Sequence, residues 1–229
     1  MPLRKATLKP VVIWGARGHA LVLVDLLVSA GLRPIAFFDN DPRSKSPVGG
    51  VPIYHGDRGY ASWTRQKKGR RRIACAVAIG GGRGDDRLRI LRRLAADGLH
   101  PATLVHPAAV VASSAEIGLG CQILAGAIVG PASTLGMAVI VNTAASVDHE
   151  CNLAEGVHVG PGAVLAGCVR VGARAFIGAG AVVLPRISIG SDAIVGAGAI
   201  VRAHVRARSV VAGNPARPLR RRRDGTGGE

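Results

Sequence analysis

Residues 159–201 read VGPGAV LAGCVR VGARAF IGAGAV VLPRIS IGSDAI VGAGAI V, and every group of six opens on an aliphatic residue. The same frame runs back through Leu153, Val147, Val141, Leu135, Val129, Ile123 and Ile117 to Val111, and forward to Val201, without slipping. A hexapeptide period is the mark of a parallel β-helix, in which each side is a short strand that turns one aliphatic residue inward and three sides make a coil. A sandwich would place its turns every eight to twelve residues and would not hold one register. The small residue that follows the aliphatic one is expected near the corner, where bulk clashes and glycine adopts angles denied to other residues.

Outward from this stretch, the composition agrees with stacked coils. Apolar residues make up 48% of the 229, aromatics only 3%, and 32 are glycine. A core with so few rings calls for closely stacked, regular backbone. A mean hydropathy of +0.28 at this length rules out whole-chain disorder. The net charge of +16 suggests polyanionic partners. It is concentrated in one run at Lys67, Lys68 and Arg70–Arg72 and another at Arg217 and Arg220–Arg223. Nucleic acid is one such partner, but few aromatics stack bases and no recognition module is present, so it is the disfavoured reading. Nucleotide-linked substrates and coenzyme A are anionic as well. Cys75, Cys121, Cys151 and Cys168 are scattered without a CxxC and read as reduced packing residues of a cytoplasmic protein. The apolar runs near the N-terminus are broken by Arg17 and Asp25, so neither a signal peptide nor a membrane span is expected.

Before about residue 104 the pattern differs. Val11–Ala16 (VVIWGA) runs into the turn GARGHA and then a helical apolar spacing from Leu21 to Ala30, closed by Gly31. Pro34–Phe38 forms a second strand that ends in Asp39-Asn40-Asp41-Pro42. Ile73–Ile79 forms a third, ends at Gly80-Gly81-Gly82, and is followed by a helix over Arg87–Ala96. Alternating strands and helices predict a small Rossmann-like parallel sheet. The stretch from Ser44 to Arg72 reads as an exposed loop. The expected organisation is an α/β domain over 1–103, an all-β parallel β-helix over 104–216 and a basic, disordered tail over 217–229.

Val147-Asp148-His149-Glu150 breaks a run of small residues with three polar ones. A histidine titrates near neutrality, and a neighbouring carboxylate favours its protonated ring, so the pair suits general-base catalysis, although an isolated cluster of this kind is more often an ordinary polar surface. His158 lies nine residues on and need not share a face with His149 within one chain. Zinc held by His149, His158 and His204 is an alternative that the spacing does not favour. The turn Gly15-Ala16-Arg17-Gly18-His19-Ala20 is not GxGxxG, yet it sets a glycine turn at a helix N-terminus, where free N–H groups favour phosphate. Asp39 suits either a ribose contact or a turn.

WGARGHA, FFDNDP, AIGGG with Arg87, the hexads, VDHEC followed by VHVGPGAVLAG, and GNPARPL together resemble the bacterial nucleotide-sugar acetyltransferases of the left-handed β-helix superfamily, over nearly the whole chain. The similarity is to enzymes that N-acetylate 4-amino dideoxy sugars on UDP or GDP carriers; sialic acid O-acetyltransferases share the layout. The resemblance implies an α/β domain that binds the nucleotide sugar, a left-handed helix that trimerises, and acetyl-CoA lying between subunits, with no metal required. It implies His149 as base and Glu150 as the acid that strengthens it. His158, Gly167, Ala179 and Ala197 fall on coenzyme positions, and Arg17, Gly18, His19, Asp39, Asn40 and Gly80 on nucleotide-sugar positions. Ala20 and Asn40 depart from the family's usual glycine and aspartate, which leaves the nucleotide open, as N- versus O-acetylation is left open.

Overall fold

The computed structural model describes residues 8–67, 69 and 72–219. Lys68, Arg70, Arg71 and Arg220–Arg223, on which the two basic runs largely rest, lie outside the described residues, as does the rest of the expected tail beyond 219. The N-terminal part is a five-stranded sheet in the order β3-β2-β1-β4-β5, built from β1 (Lys9–Trp14), β2 (Leu32–Asp39), β3 (Ile53–His55), β4 (Ala74–Val77) and β5 (His100–Pro101). Every pairing in it is parallel. Helix α1 (Gly18–Ser29) covers one side; α2 (Gly56–Gln66) and α3 (Gly84–Ala96) contribute to the core on the other. Alternate residues of β1 serve the two sides. Val11 and Ile13 pack with Leu23, Leu26 and Leu27 of α1, while Val12 and Trp14 pack with Tyr60, Trp63, Leu88 and Leu91. A parallel sheet buried on both faces needs such an unbroken apolar run.

The stretch from Ser44 to Arg72, expected to be a loop, instead contains β3 and α2. Tyr60 and Trp63, three apart on α2, are fully buried and join Trp14 and Phe38 in a cluster of rings 5.1–6.3 Å apart. The burial of one aromatic stripe overrides the polar composition around it. Every aromatic residue but Phe176 sits in this domain, so the low aromatic content belongs to the helix.

From β6 (Leu104–Val105) the chain winds as two-residue strands six apart in a left-handed, three-sided β-helix. The first face stacks Leu104–Val105, Gln122–Ile123, Ile140–Val141, His158–Val159, Phe176–Ile177 and Ile194–Val195. The second stacks Val110–Val111 through Ser146–Val147 to Ile200–Val201, and the third Glu116–Ile117 through Asn152–Leu153 to Ser188–Ile189. From Ile123 to Val201 every predicted aliphatic residue is buried.

The corners work differently from expectation. The left-handed backbone falls three residues after the aliphatic one, at every sixth position from Gly120 to Gly198, and includes Ala132, Ala144, Glu150 and Cys168 with φ of 54–61°. The glycine directly after the aliphatic residue serves close approach instead: a Cβ on Gly178 would stand 2.5 Å from Ala197 N, in the next coil. The last coil is shorter, because Ile189 pairs with Val205 and Val195 with Val211, sixteen residues on instead of eighteen. Arg217–Pro218, assigned to the tail from sequence, pairs antiparallel with Val211 and Ala212 and closes this end.

Candidate active site

At the C-terminal ends of β1, β2 and β4 lies a cavity of about 420 Å³ lined by Gly15, Arg17, His19, Asp39, Asn40 and Gly80 among others. This is where open parallel sheets take ligands. Gly15 has φ of 104°, and a Cβ on it would meet Ala78 O at 2.5 Å, so the β1 turn passes β4 only as glycine. Asp39 holds the turns of the cavity: its Oδ2 accepts from Ala16 N at 2.9 Å and its Oδ1 from Asp41 N at 2.9 Å, tying two loops together. Arg17 forms an ion pair with Asp41. Asp41 is held down at about 2, first by its hydrogen bond from Arg43. Helix α1 begins at Gly18, and a helix start leaves its first N–H groups without intrahelical acceptors.

Below the cavity the two domains meet in a polar seam. Gln122 on the first face donates to Val77 O at 2.9 Å, which orients its Oε1 to accept from His19 Nε2 at 2.7 Å. His158, on the same face, is 5% exposed. Asn142 Oδ1 accepts from Thr143 N, so its amide NH2 faces His158 Nε2 at 3.0 Å; His158 Nδ1–H then donates to Gly81 O at 3.3 Å. Burial above all, with Arg87 and His19 nearby, pushes His158 down to about 3 and fixes the neutral ring. Burial likewise lowers His19. Arg87, fully buried, donates to Ile79 O, Ala138 O, Gly156 O and Val157 O at 2.6–3.3 Å, and burial pushes it down to about 10. One guanidinium thus fastens α3, the end of β4 and two coils.

His149 and Glu150 stand elsewhere, at the corner between the second and third faces, directly after Ser146–Val147. His149 Nδ1 lies 2.9 Å from Glu150 Oε2, with the two side chains 51% and 63% exposed. The bond from His149, then one from Cys168, lowers the Glu150 carboxyl. Asp148 Oδ1 accepts from His149 N at 2.7 Å and so shapes the corner. Gly167, one coil further, lies against the ring: a Cβ there would stand 2.3 Å from His149 Nε2. A larger residue at 167 would push the exposed ring out of this position.

The expected site residues therefore fall into separate groups. Arg17, His19, Asp39, Asn40 and Gly80 gather around one cavity, with Gly18 opening the adjoining helix. His158 adjoins Gly80 at the seam, its Cε1 3.4 Å from where a Gly80 Cβ would be. Gly167 joins His149 and Glu150, whereas Ala179 and Ala197 follow first-face strands at the corner toward the second face. His204 accepts from Ser188 N at 3.0 Å, and His149, His158 and His204 do not gather into one metal-binding group. Sequence reasoning missed Gln122, Asn142 and Cys168. Cys168 was legible by adding one coil of eighteen residues to Glu150.

A small α/β domain with a cavity at its strand ends, set on a hexapeptide β-helix, is the layout of the hexapeptide-repeat transferases. The models for bacterial transferase hexapeptide repeats and for the PglD N-terminal domain match residues 150–185 and 168–203, and residues 10–94, respectively. The chain belongs to the PglD-type hexapeptide acetyltransferase family. It is 35% identical to the acetyltransferase domain of PglB from Neisseria gonorrhoeae, solved with acetyl coenzyme A, over 92% of this chain and 99% of that one, with a TM-score of 0.81. It is 36% identical to perosamine N-acetyltransferase from Caulobacter crescentus, solved as a histidine-to-asparagine mutant with CoA and GDP-perosamine, over 93% and 97%, TM-score 0.84. WeeI from Acinetobacter baumannii matches at 26% identity over 91% and 99%, TM-score 0.75. A comparison with curated proteins gave no match. Among the described residues, no helix is long and apolar enough to cross a membrane.

Proposed function

We propose that this protein transfers the acetyl group of acetyl-CoA to the 4-amino group of a nucleotide-linked dideoxy amino sugar, with His149 as the base. The observation that carries this reading is the His149–Glu150 pair, exposed on a β-helix joined to a cavity whose lining includes a glycine turn before a helix N-terminus. The nucleotide sugar occupies that cavity, Arg17 and the start of α1 serving its phosphates. Its amine attacks the thioester carbonyl while His149 Nε2 takes the proton. The Nδ1–H bond to Glu150 steadies the imidazolium until the thiolate of CoA leaves and is protonated. Ala179 and Ala197 serve the coenzyme from the corner that follows the first face, while His158, sealed in the seam, holds the coenzyme-side edge of the cavity in place.

The active site is shared between copies of the chain. The α/β domain rests on the first face through Gln122 and His158, while His149 occupies the corner opposite that face. A base there cannot reach its own chain's cavity. The second face points Val110, Ile128 and Val164 outward, 63%, 44% and 38% exposed, whereas the third presents Glu116, Asn152 and Arg170. A neighbouring copy packed on the apolar face, as in a trimer, brings a foreign His149 corner to the cavity.

Release of CoA is the direct test, using UDP-, dTDP- and GDP-linked 4-amino sugars against their 4-hydroxy counterparts. Turnover confined to one amino sugar supports N-acetylation and names the carrier; turnover on the hydroxy sugars alone would overturn it in favour of O-acetylation. Sharing is tested by mixing inactive His149→Ala chains with chains whose cavity is filled by Asn40→Trp. Activity returns in mixed oligomers if each site draws on two chains, and stays absent if one chain holds a whole site.

A further inference from the structure

The His149 corner carries a third group that acetyl transfer does not use. Cys168 stands one coil beyond Glu150 in the same left-handed position, its thiol donating to Glu150 Oε2 at 3.6 Å, while His149 Nδ1 lies 2.9 Å from that oxygen. One ligand atom from each residue lies within 4.8 Å of the others, on side chains that are exposed or half-buried. An imidazole nitrogen, a carboxylate oxygen and a thiol sulfur are a donor set for Zn²⁺, at roughly 2.0–2.2 Å for nitrogen and oxygen and about 2.3 Å for sulfur. Around a tetrahedral ion with those bonds the donors stand roughly 3.3–3.6 Å apart. The sulfur–oxygen spacing already fits, the nitrogen–oxygen pair must open by a few tenths of an ångström, and the open side of the corner leaves a fourth position for water.

We propose that His149, Glu150 and Cys168 form a zinc-binding site whose occupancy switches the enzyme off. Binding releases the Cys168 thiol proton to solvent and moves the imidazole proton from Nδ1 to Nε2. The thiolate and carboxylate together balance the charge of the ion. Arg186, one coil further and close enough to act on Glu150, opposes the cation and keeps binding weaker than in a closed structural site. The switching half rests on the reading of His149 as base, because the nitrogen that must accept the substrate's proton is then already protonated and Glu150 is taken up as a ligand.

Cys168→Ala removes the sulfur without disturbing the corner, since Ala132, Ala138 and Ala144 hold the same left-handed backbone in this chain. Metal-free full-length protein is titrated with Zn²⁺ against a chromophoric chelator, and separately loaded with Co²⁺. The wild type is expected to take one ion per chain and to show a thiolate-to-cobalt charge-transfer band. Cys168→Ala is expected to bind roughly tenfold or more weakly and to lack the band. Zinc at a concentration that saturates the wild type is expected to abolish its turnover reversibly with chelator and to spare Cys168→Ala, while Mg²⁺ spares both. No zinc bound, or equal affinity in the two proteins, overturns the site. Zinc held through Cys168 with turnover unchanged overturns the switch. A protein inactive on every acceptor without zinc overturns the acetyltransferase reading alone, because the binding and cobalt measurements do not depend on it.

Discussion

His149 and His158 are nine residues apart, half a coil, and the fold gives them opposite surroundings. His158 is sealed in the domain seam, with both ring nitrogens committed and its basicity suppressed. His149 stands at an open corner with one nitrogen on a carboxylate and the other beside a glycine. The same side chain is thus a fixed neutral spacer in one place and, on the proposed mechanism, the proton acceptor in the other. Burial and partner chemistry, not residue type, separate the two roles.

The strongest way to break this contrast is His149→Ala, expected to lower turnover about 10²–10⁴-fold with the thermal transition unchanged. Comparable turnover in that variant would remove the base from the corner. Next in size is Arg87→Met, which strands carbonyls of both domains. Its expected cost is about 3 kcal/mol in denaturant unfolding, the seam failing while the isolated His–Glu pair is untouched. Glu150→Gln keeps a hydrogen-bond partner but loses the charge that steadies the imidazolium. We expect kcat to fall about tenfold with KM for the sugar nearly constant, and an equal rise in KM would mean that Glu150 binds substrate instead.

The smallest effect sharpens the other side of the contrast. His158 is lowered from 6.5 to about 3 in the fold, so below pH 6.5 the unfolded chain binds a proton that the native one refuses until about pH 3. Stability is therefore lost as pH falls through that window, by at most about 1.4 kcal/mol per pH unit from this group. His158→Gln should flatten the slope of unfolding free energy against pH between those limits by one proton. An unchanged slope would show that the seam admits water or a proton.

The helix was legible because its period is enforced at every step: from Ile123 to Val201 an aliphatic residue in the frame fills the same interior. Helix α2 was not, because a basic neighbourhood hid Tyr60 and Trp63, two anchors that only tertiary burial explains. Among site residues, His149 and Glu150 stood out as polar intrusions in a run of small residues. Gln122, Asn142 and Arg87's carbonyl partners did not, since they acquire their roles from the other domain or from the next coil, neither of which the local sequence mentions. The contact of Cys168 with Glu150 is hidden in the local sequence, because the two are close only in the coil.

The coil also turns chain length into an angular coordinate. Eighteen added residues would slide everything beyond them about 4.8 Å along the axis and leave each corner pointing as before. Six added residues between Gln122 and His149 would instead rotate the His149 corner by a third of a turn relative to the face that seats the α/β domain. On the proposed mechanism, spacing modulo eighteen is therefore what would assign the base to a neighbour's cavity, so that the division of labour between subunits would be encoded as a phase, carried by residues that never touch the substrate.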